Sequence, residues 1–238
     1  MSAKHSGACL IMHTAPKGKY SSYSTVSLKF LGVDTPEQPT DGTSPLLLAP
    51  YIPLDGINSE GLAICVLQLE YPEIHSSGNS VDMTSTTIIR NVLDNAKDVD
   101  EAVAIFKNCN LHTDGFAYHY MVGDANGKSA IIEYADNKMF VEYKTGNIQI
   151  CANEHITKEG IDFHKNANPD DSKVRMKAIA DTAEKCGYDM NRENSFAAMN
   201  AAALEKTRWS IFYDLTDKTM SFAVNRCFET AHEFAFKG

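Results

Sequence analysis

Two amide side chains stand where an apolar segment gives way to a polar one, and they could stabilise a developing negative charge. Gln68 ends the apolar run LAICVLQ, and Asn153 ends the run NIQICAN directly before a polar loop. Amides in such positions can donate hydrogen bonds to the oxyanion of an acyl-transfer reaction. The alternative is that each amide only caps a strand. Arg175, a third candidate, lies early in a predicted helix, where it could also form no more than a surface ion pair.

Motifs of several common enzyme classes are absent. The sequence has no Walker loop, dinucleotide-binding glycine pattern, HExxH, clustered Cys/His site or GxSxG. His119 alternates with tyrosines and is interpreted as a sheet residue, whereas His155 follows Asn153 closely and could line a cleft. We therefore predict neither a metal nor a cofactor.

Charge and hydropathy exclude further classes of protein. The net charge of −9 and the scattered basic residues argue against binding to nucleic acid or to an anionic membrane. No apolar run is long enough to span a bilayer, and no signal core begins the sequence, so we expect a soluble, cytoplasmic protein. The six cysteines show no CxxC pair, which favours free thiols.

The elements that must position these side chains follow a clear order along the chain. CLIMH, STVSLKFLGV and LAICVLQ are predicted strands, and the uninterrupted apolar run at residues 62–67 predicts a strand buried on both faces. A helix pair follows, TSTTIIRNVLDNAK and DVDEAVAIFKNC, and Asp98 with Glu101 forms a capping-box pattern at the start of the second helix. These helices are expected to pack together against a sheet.

The second half alternates in the same way. FAYHYMVGD, KSAIIEYAD, KMFVEYK and NIQICAN are separated by hairpin dipeptides, which predicts an antiparallel meander. The helices SKVRMKAIADTAEKC and ENSFAAMNAAALEK and the hairpin RWSIFYDL–TMSFAVNRCF complete the chain. Two antiparallel sheets between two helical layers, within one domain over residues 1–238, is the most economical packing.

Several segments together resemble the choloylglycine hydrolase family of linear amide C–N hydrolases, which includes bile salt hydrolases and penicillin V acylases. The resemblance is carried by DGINSEGLAICVLQ, YHYMVGDANGKSAIIEY, ICAN before a loop, VRMKA on a helix and TRWSIFYDL. Each motif alone is weak. Their order and spacing, kept from about CLIMHTAPKGKY to the C-terminus, make the resemblance fairly specific.

The resemblance implies an α+β fold, the four-layer αββα sandwich of N-terminal nucleophile hydrolases. It also implies catalysis by an N-terminal cysteine whose thiolate attacks the amide carbonyl. Asn153 matches the family's oxyanion asparagine, Arg175 its active-site arginine, and Gln68 a variable oxyanion or substrate position. Asn58 lies in the loop beside the site, and we predict that Asn58 and His155 contact the substrate.

One departure from the family pattern concerns the nucleophile. The strand CLIMH resembles a later strand of the family, and no Arg-Asn-x-Asp segment occurs, so the first β-hairpin is expected to be missing. The hairpin could be lost by truncation or supplied by another polypeptide. Alternatively, removal of MSAKHSGA would expose Cys9 as the nucleophile, although bulky Leu10 and the lack of an Arg/Asp pair argue against this.

The sequence therefore predicts a hydrolase of linear amides, such as acyl-amino acids, bile salts or penicillin-like compounds, with impaired activity in this chain. The alternative is a non-catalytic small-molecule-binding or assembly protein on the same scaffold. A missing strand pair would leave an open sheet edge, which favours a homo-oligomer.

Overall fold

The computed structural model describes residues 9–32, 45–69, 81–112, 117–163 and 170–236. These residues form twelve strands and five α-helices. The strands are β1 (Cys9–Thr14), β2 (Ser22–Ser27), β3 (Asp55–Asn58), β4 (Ala63–Leu69), β5 (Val81–Thr84), β6 (Cys109–His112), β7 (Ala117–Gly123), β8 (Ser129–Ala135), β9 (Lys138–Tyr143), β10 (Trp209–Asp214), β11 (Thr219–Val224) and β12 (His232–Ala235). The helices are α1 (Thr87–Asn95), α2 (Val99–Lys107), α3 (Lys158–Phe163), α4 (Asp170–Lys185) and α5 (Arg192–Ala201).

Two antiparallel sheets form the middle of the molecule. The large sheet has the strand order β1-β2-β3-β4-β7-β8-β9, and the small sheet has the order β10-β11-β12. A short parallel pair, β5 with β6, was not predicted. The antiparallel character of both main sheets confirms the prediction from the hairpin dipeptides.

Helices α1 and α2 cover the outer face of the large sheet and create the main core. Ile89, Leu93 and Phe106 from the helices and Tyr120 from β7 are all 0% exposed. The Phe106 and Tyr120 ring centroids lie 4.8 Å apart. Full burial of each such side chain contributes about 1.5–3 kcal/mol, so this interface provides much of the stability.

The start of α2 shows the predicted capping box. Asp98 accepts a hydrogen bond from the Glu101 backbone N–H at 2.9 Å, and the Glu101 carboxylate accepts one from the Lys97 N–H at 2.9 Å. The first bond satisfies an N–H group that the first helical turn leaves unpaired, and the second ties Glu101 to the residue before the N-cap. The cap thus fixes where α2 begins on the sheet.

The small sheet covers part of the inner face of the large sheet, and α5 with α4 packs beyond it. Ile57 of the large sheet meets Met220 and Phe222 of β11, and Phe212 of β10 lies 6.3 Å from Phe196 of α5 between ring centroids. The four layers are therefore helices, large sheet, small sheet and helices, as the sequence predicted.

Two detailed predictions about strands are wrong. Residues 148–152 form no strand, because side chains rather than a backbone ladder hold this segment: Gln149 accepts from Ser129 at 2.6 Å and donates to the Glu142 carbonyl at 2.8 Å. Strand β4 is only partly buried, on both of its faces. Its residues Ile64 and Leu69 are buried, whereas most of the others keep partial exposure.

Among the described residues, no helix is long and apolar enough to cross a membrane.

Candidate functional site

Asn153 and Arg175 form a hydrogen-bonded pair beside the end of β4. Arg175 Nη2 donates to Asn153 Oδ1 at 3.0 Å and to Ser172 Oγ at 3.1 Å, while Asn153 Nδ2 donates to the Gln68 carbonyl at 2.8 Å. The amide is thus fixed with its oxygen toward the guanidinium. Its second Nδ2 proton makes no hydrogen bond with the described residues, so it can still donate to a ligand oxygen.

Arg175 lies on the second turn of α4 and keeps donor capacity of its own. Its Nε is 3.6 Å from Asp171 Oδ2, beyond hydrogen-bonding distance, and Nη1 has no hydrogen-bond partner among the described residues. A guanidinium with free N–H groups can bind a carboxylate in bidentate geometry. The pair therefore offers an amide donor and a cationic fork side by side.

Glu154, next to Asn153, was not identified from the sequence. It is buried, and its Oε2 has no hydrogen-bond partner in the described part of the chain. Burial raises the pKa of its carboxyl, an effect that the charges of Lys173 and Arg175 oppose. Titratable groups with perturbed pKa values cluster at functional sites, so Glu154 joins Asn153 and Arg175 in the candidate site.

A buried carboxylate positions the loop that carries Asn153. Glu133 of β8 accepts hydrogen bonds from His119 Nδ1 at 2.9 Å, from the Ile156 N–H at 2.7 Å and from Thr157 N and Oγ1 at 2.9 and 2.7 Å. His119 Nε2 donates to the Ala152 carbonyl at 2.7 Å. Burial alone would raise the pKa of Glu133, but its hydrogen bonds outweigh burial and hold the pKa well below its usual range. The loop is therefore tethered on both sides of Asn153.

His155 belongs to this network and not to an open cleft. It is 3% exposed, with Nδ1 3.7 Å from Glu133 Oε2. Gly160 of α3 approaches so closely that a Cβ on it would lie 2.6 Å from His155 Nδ1. The predicted substrate contact by His155 would require this packing to open.

Gln68 takes part through its backbone, while its side chain lies elsewhere. Its carbonyl accepts from Asn153, but its side chain is exposed and faces a separate cavity of about 490 Å³ on the outer side of β4, together with Val66 and Tyr118. The structure thus brings Asn153 and Arg175 together and directs the Gln68 amide away from them.

Asn58 is buried in the turn before β4. Its Nδ2 donates to the carbonyls of Leu93 and Ala96 at 3.1 and 2.7 Å, and its Oδ1 accepts from the N–H groups of Glu60 and Leu62, both at 3.1 Å. All the hydrogen-bonding groups of its amide are therefore used, two within the turn and two to the end of α1. This geometry supports a structural role, and substrate contact stays a prediction.

A cavity of about 770 Å³ lies between the inner face of the large sheet, the edge of β10 and helices α4 and α5. Asp55 lines it and accepts hydrogen bonds from Tyr213 Oη at 2.6 Å and Thr25 Oγ1 at 2.8 Å. Burial raises the pKa of the Asp55 carboxyl to about 6, although both hydrogen bonds oppose the shift. The remaining wall is mainly apolar, so the cavity combines a large hydrophobic volume with one titratable carboxyl.

The thiols near this cavity are poorly activated. Burial, followed by the charge of Asp55, raises the pKa of Cys9 to about 11 and that of Cys65 to about 12. Burial also raises the pKa of Cys151 well above its usual value. Cys9 lies on β1, three strands away from β4 in the large sheet, and packs beneath the small sheet. The structure therefore does not bring Cys9 to the Asn153–Arg175 pair.

In the ranges that the structure describes, no group of three or more His, Cys, Asp or Glu side chains could hold a metal ion.

Two residues near the site, which the sequence analysis did not select, could have been noticed from a weak pattern in the sequence. Glu133 is a lone acid within the apolar strand SAIIEYA, and Asp55 opens the turn before β4. No sequence pattern pointed to Tyr213, because only folding brings it next to Asp55.

Comparisons with known proteins agree with this architecture. Residues 53–231 match the family model described as acyl-coenzyme A:6-aminopenicillanic acid acyl-transferase. A penicillin V acylase from Pectobacterium atrosepticum is 32% identical over 111 residues, covering 42% of this chain and 29% of the relative. The chain thus spans less than a third of that curated relative.

Two groups of solved structures are similar in fold. Penicillin V acylase from Agrobacterium tumefaciens superposes with a TM-score of 0.63 at 20% identity, covering 92% of this chain and 72% of that one. A mutant conjugated bile acid hydrolase from Clostridium perfringens gives a TM-score of 0.64 at 14% identity, covering 95% and 84%. At these identities the likeness establishes the fold.

Proposed function

Because the chain belongs to the acyl-coenzyme A:6-aminopenicillanic acid acyl-transferase family, we propose that it binds a small linear amide and acts in the cleavage of its C–N bond. Membership confirms the family resemblance found in the sequence. The structural likenesses confirm the αββα fold of N-terminal nucleophile hydrolases.

The Asn153–Arg175 pair is the observation that carries the proposal. One Nδ2 proton of Asn153 points at no described acceptor, and Arg175 Nη1 is equally available. A tetrahedral intermediate places negative charge on the former carbonyl oxygen, which an amide N–H held in advance stabilises at little reorganisation cost. The guanidinium would bind the acidic group that acyl-amino acids, conjugated bile salts and penicillins all carry.

The proposed reaction is that of an N-terminal cysteine. Its thiolate attacks the carbonyl carbon, the C–N bond breaks, and the leaving amine takes up the proton. Water then hydrolyses the thioester to a carboxylic acid and regenerates the thiol. Cys9 would serve only if processing exposed it and the sheet rearranged, because it lies three strands from β4. We therefore expect weak turnover, in line with the raised pKa values of Cys9 and Cys65.

A turnover assay tests this proposal. Purified chain is incubated with penicillin V, a glycine-conjugated bile salt and an N-acyl amino acid, and the released amine is quantified. We expect slow release that Asn153→Ala lowers by about 10²-fold, as loss of an oxyanion donor does elsewhere. Asn126→Ala, in the exposed β7–β8 turn, is the matched control and should leave the rate unchanged. Equal rates for both variants would refute the role of Asn153.

The second candidate is a non-catalytic binder of the same amides. It is favoured by the absence of an activated thiol among the described cysteines near the cavity. A cysteine-directed acylating amide analogue, mapped by mass spectrometry, distinguishes the two. Acylation at Cys9 supports the processed enzyme, whereas saturable binding of the unlabelled amide without any acylation supports the binder. Cytoplasmic location and a homo-oligomeric state stay predictions.

A further inference from the structure

His119 of β7 and Glu133 of β8 form a buried pair that contacts the loop carrying Asn153. The ladder between the two strands pairs Tyr120 with Ile132, and both of these side chains belong to the main core under α1 and α2. Successive side chains of a strand point to opposite faces of the sheet, so His119 and Glu133 lie opposite each other on the inner face. Both are 0% exposed. The pair is therefore held away from water.

The partners of Glu133 indicate that its carboxyl group is ionised. Ile156 N–H donates to one oxygen at 2.7 Å, and Thr157 donates to the other from its N–H at 2.9 Å and from Oγ1 at 2.7 Å. Burial opposes ionisation, but hydrogen bonds of this kind favour the charged form strongly. These three donors stabilise the anion before His119 is considered. Glu133 thus presents an acceptor oxygen to the histidine.

Both ring nitrogens of His119 face acceptors. Nδ1 lies 2.9 Å from Glu133 Oε1, and Nε2 lies 2.7 Å from the carbonyl oxygen of Ala152. A carbonyl oxygen and an ionised carboxylate oxygen can only accept. An unprotonated ring nitrogen would place its lone pair against one of these oxygens. Because a neutral histidine has a single ring proton, the arrangement requires the imidazolium.

The neighbouring charges agree with this assignment. A buried charge is stable when it is paired, and the imidazolium and the carboxylate compensate each other. His155 also approaches Glu133, with Nδ1 3.7 Å from Oε2, but His119 is closer. Burial raises the pKa of the Cys151 thiol well above its usual value, so this neighbour is neutral. His119 therefore supplies the charge that balances Glu133.

The second bond of the ring fixes the peptide group directly before Asn153. The carbonyl of Ala152 and the N–H of Asn153 belong to one planar unit, and His119 Nε2 holds the oxygen of that unit. Glu133 holds two N–H groups on the other side of Asn153. The direction in which the Asn153 side chain leaves the backbone therefore depends on the charged pair.

We propose that His119 is a positioning residue of the candidate site: as a buried imidazolium paired with Glu133, it holds the peptide group before Asn153 and so keeps the Asn153 amide in the orientation of an oxyanion donor. His119 itself contacts no reacting group. The oxyanion role of Asn153 rests on the proposed function, whereas the protonation state of His119 does not.

Nitrogen-15 NMR of the wild-type protein tests the protonation state. Spectra are recorded at about pH 8, at which a free imidazole is neutral, and the ring signals of His119 are assigned through the backbone of β7. Both nitrogens should have the chemical shifts of protonated ring nitrogens. In Glu133→Gln one of them should move to the shift of an unprotonated nitrogen, because the neutral amide no longer balances the imidazolium.

Two uncharged substitutions separate the two bonds of the ring. In His119→Gln the side-chain amide reaches the place of Nε2 and can still donate to the Ala152 carbonyl. In His119→Asn it reaches only the place of Nδ1, beside Glu133. The side-chain amide of Asn153, labelled with nitrogen-15 and identified by its absence in Asn153→Ala, should keep its wild-type resonance in His119→Gln. It should be displaced or broadened in His119→Asn.

Turnover of the amide gives the functional readout. His119→Asn should lower kcat about tenfold, because the Asn153 donor is misplaced but still present. KM should change little, since Arg175 still binds the acidic group, and His119→Gln should retain most of the wild-type kcat. The matched control is His112→Gln on the exposed end of β6, which should alter neither the Asn153 resonance nor turnover.

Two outcomes overturn the proposal. The first is an unprotonated ring nitrogen of His119 in the wild type, a measurement that needs no variant to fold. The second is an Asn153 resonance that is the same in His119→Gln and His119→Asn. Absence of turnover in the wild type would count against the proposed function alone, because both NMR readouts are independent of activity.

Discussion

Strand β4 separates two regions that differ in how completely they are packed. Ile64 points toward α1 and α2 and is 1% exposed, whereas Ala63 and Cys65 point toward the small sheet and keep partial exposure. The outer region buries Leu93 and Phe106 fully. The inner region contains the large cavity and the half-buried strand β10.

This difference shows how the fold divides its tasks. The outer face is closed by helices that follow closely in sequence, and its core is almost entirely apolar. The inner face collects the titratable groups, including Asp55 and Glu133, and the loop that carries Asn153. Stability comes mainly from the closed region, while the proposed binding and chemistry belong to the open one.

The largest effect is expected in the closed region. Phe106→Ala should lower the free energy of unfolding by about 4 kcal/mol, because it removes a fully buried ring and leaves a cavity. Phe212→Ala on β10 is the matched substitution in the open region and should cost about 2 kcal/mol, since that ring is half-buried. Urea unfolding measures both. Equal costs would mean that the two regions are packed alike.

Glu133→Gln breaks the buried network under the Asn153 loop and is expected to cost about 3 kcal/mol. The lowered pKa of Glu133 determines how this contribution to the free energy of unfolding depends on pH. The ionised network stabilises the fold above the unfolded value of about 4.3, and this contribution is lost as pH falls toward the lowered folded pKa. Chemical unfolding at several pH values tests this. If the variant is as stable as the wild type at neutral pH, the network does not stabilise the fold as proposed.

Asn58→Ala should cost about 2 kcal/mol, because it leaves two buried carbonyls and two N–H groups without partners. Binding of the amide ligand should not change, which calorimetry on the folded variant would check. A large loss of affinity with unchanged stability would instead support the substrate contact predicted from the sequence.

The smallest effect concerns Asp55. A carboxyl with a raised pKa costs stability once it ionises, so the cost is absent below the unfolded value near 4, grows as pH rises and is complete above the folded value of about 6. Asp55→Asn removes this cost and should gain about 1 kcal/mol at neutral pH, with solvent screening taken into account. The difference between the two proteins should vanish near pH 4. A pH-independent difference would contradict the raised pKa.

Local patterns were sufficient to predict most elements. The spacing of Ile88, Ile89, Val92 and Leu93 predicted the buried side of α1, and Asp98 predicted the start of α2. Turn dipeptides located β7–β9, and Asp136 and Asn137 adopt the positive φ angles that such a turn requires.

Longer-range contacts were beyond those patterns. Tyr213 meets Asp55 across 158 positions of sequence, and no local rule connects the two. Residues 148–152 alternate like a strand, yet they are held by bonds of Gln149 and His119. The direction of Gln68 could have been predicted, because strand alternation places it on the same side as Ile64 and Val66.

Hydrogen–deuterium exchange of β10 tests the central claim, that the inner region is packed less completely than the outer one. The backbone N–H groups of Ile211 and Tyr213 point away from β11 and should exchange quickly, whereas those of Ser210 and Phe212 bond to β11 and should exchange slowly. Strand β4, paired on both sides by β3 and β7, is the internal reference and should be protected throughout. Uniform protection along β10 in the free protein, equal to that of β4, would contradict the account.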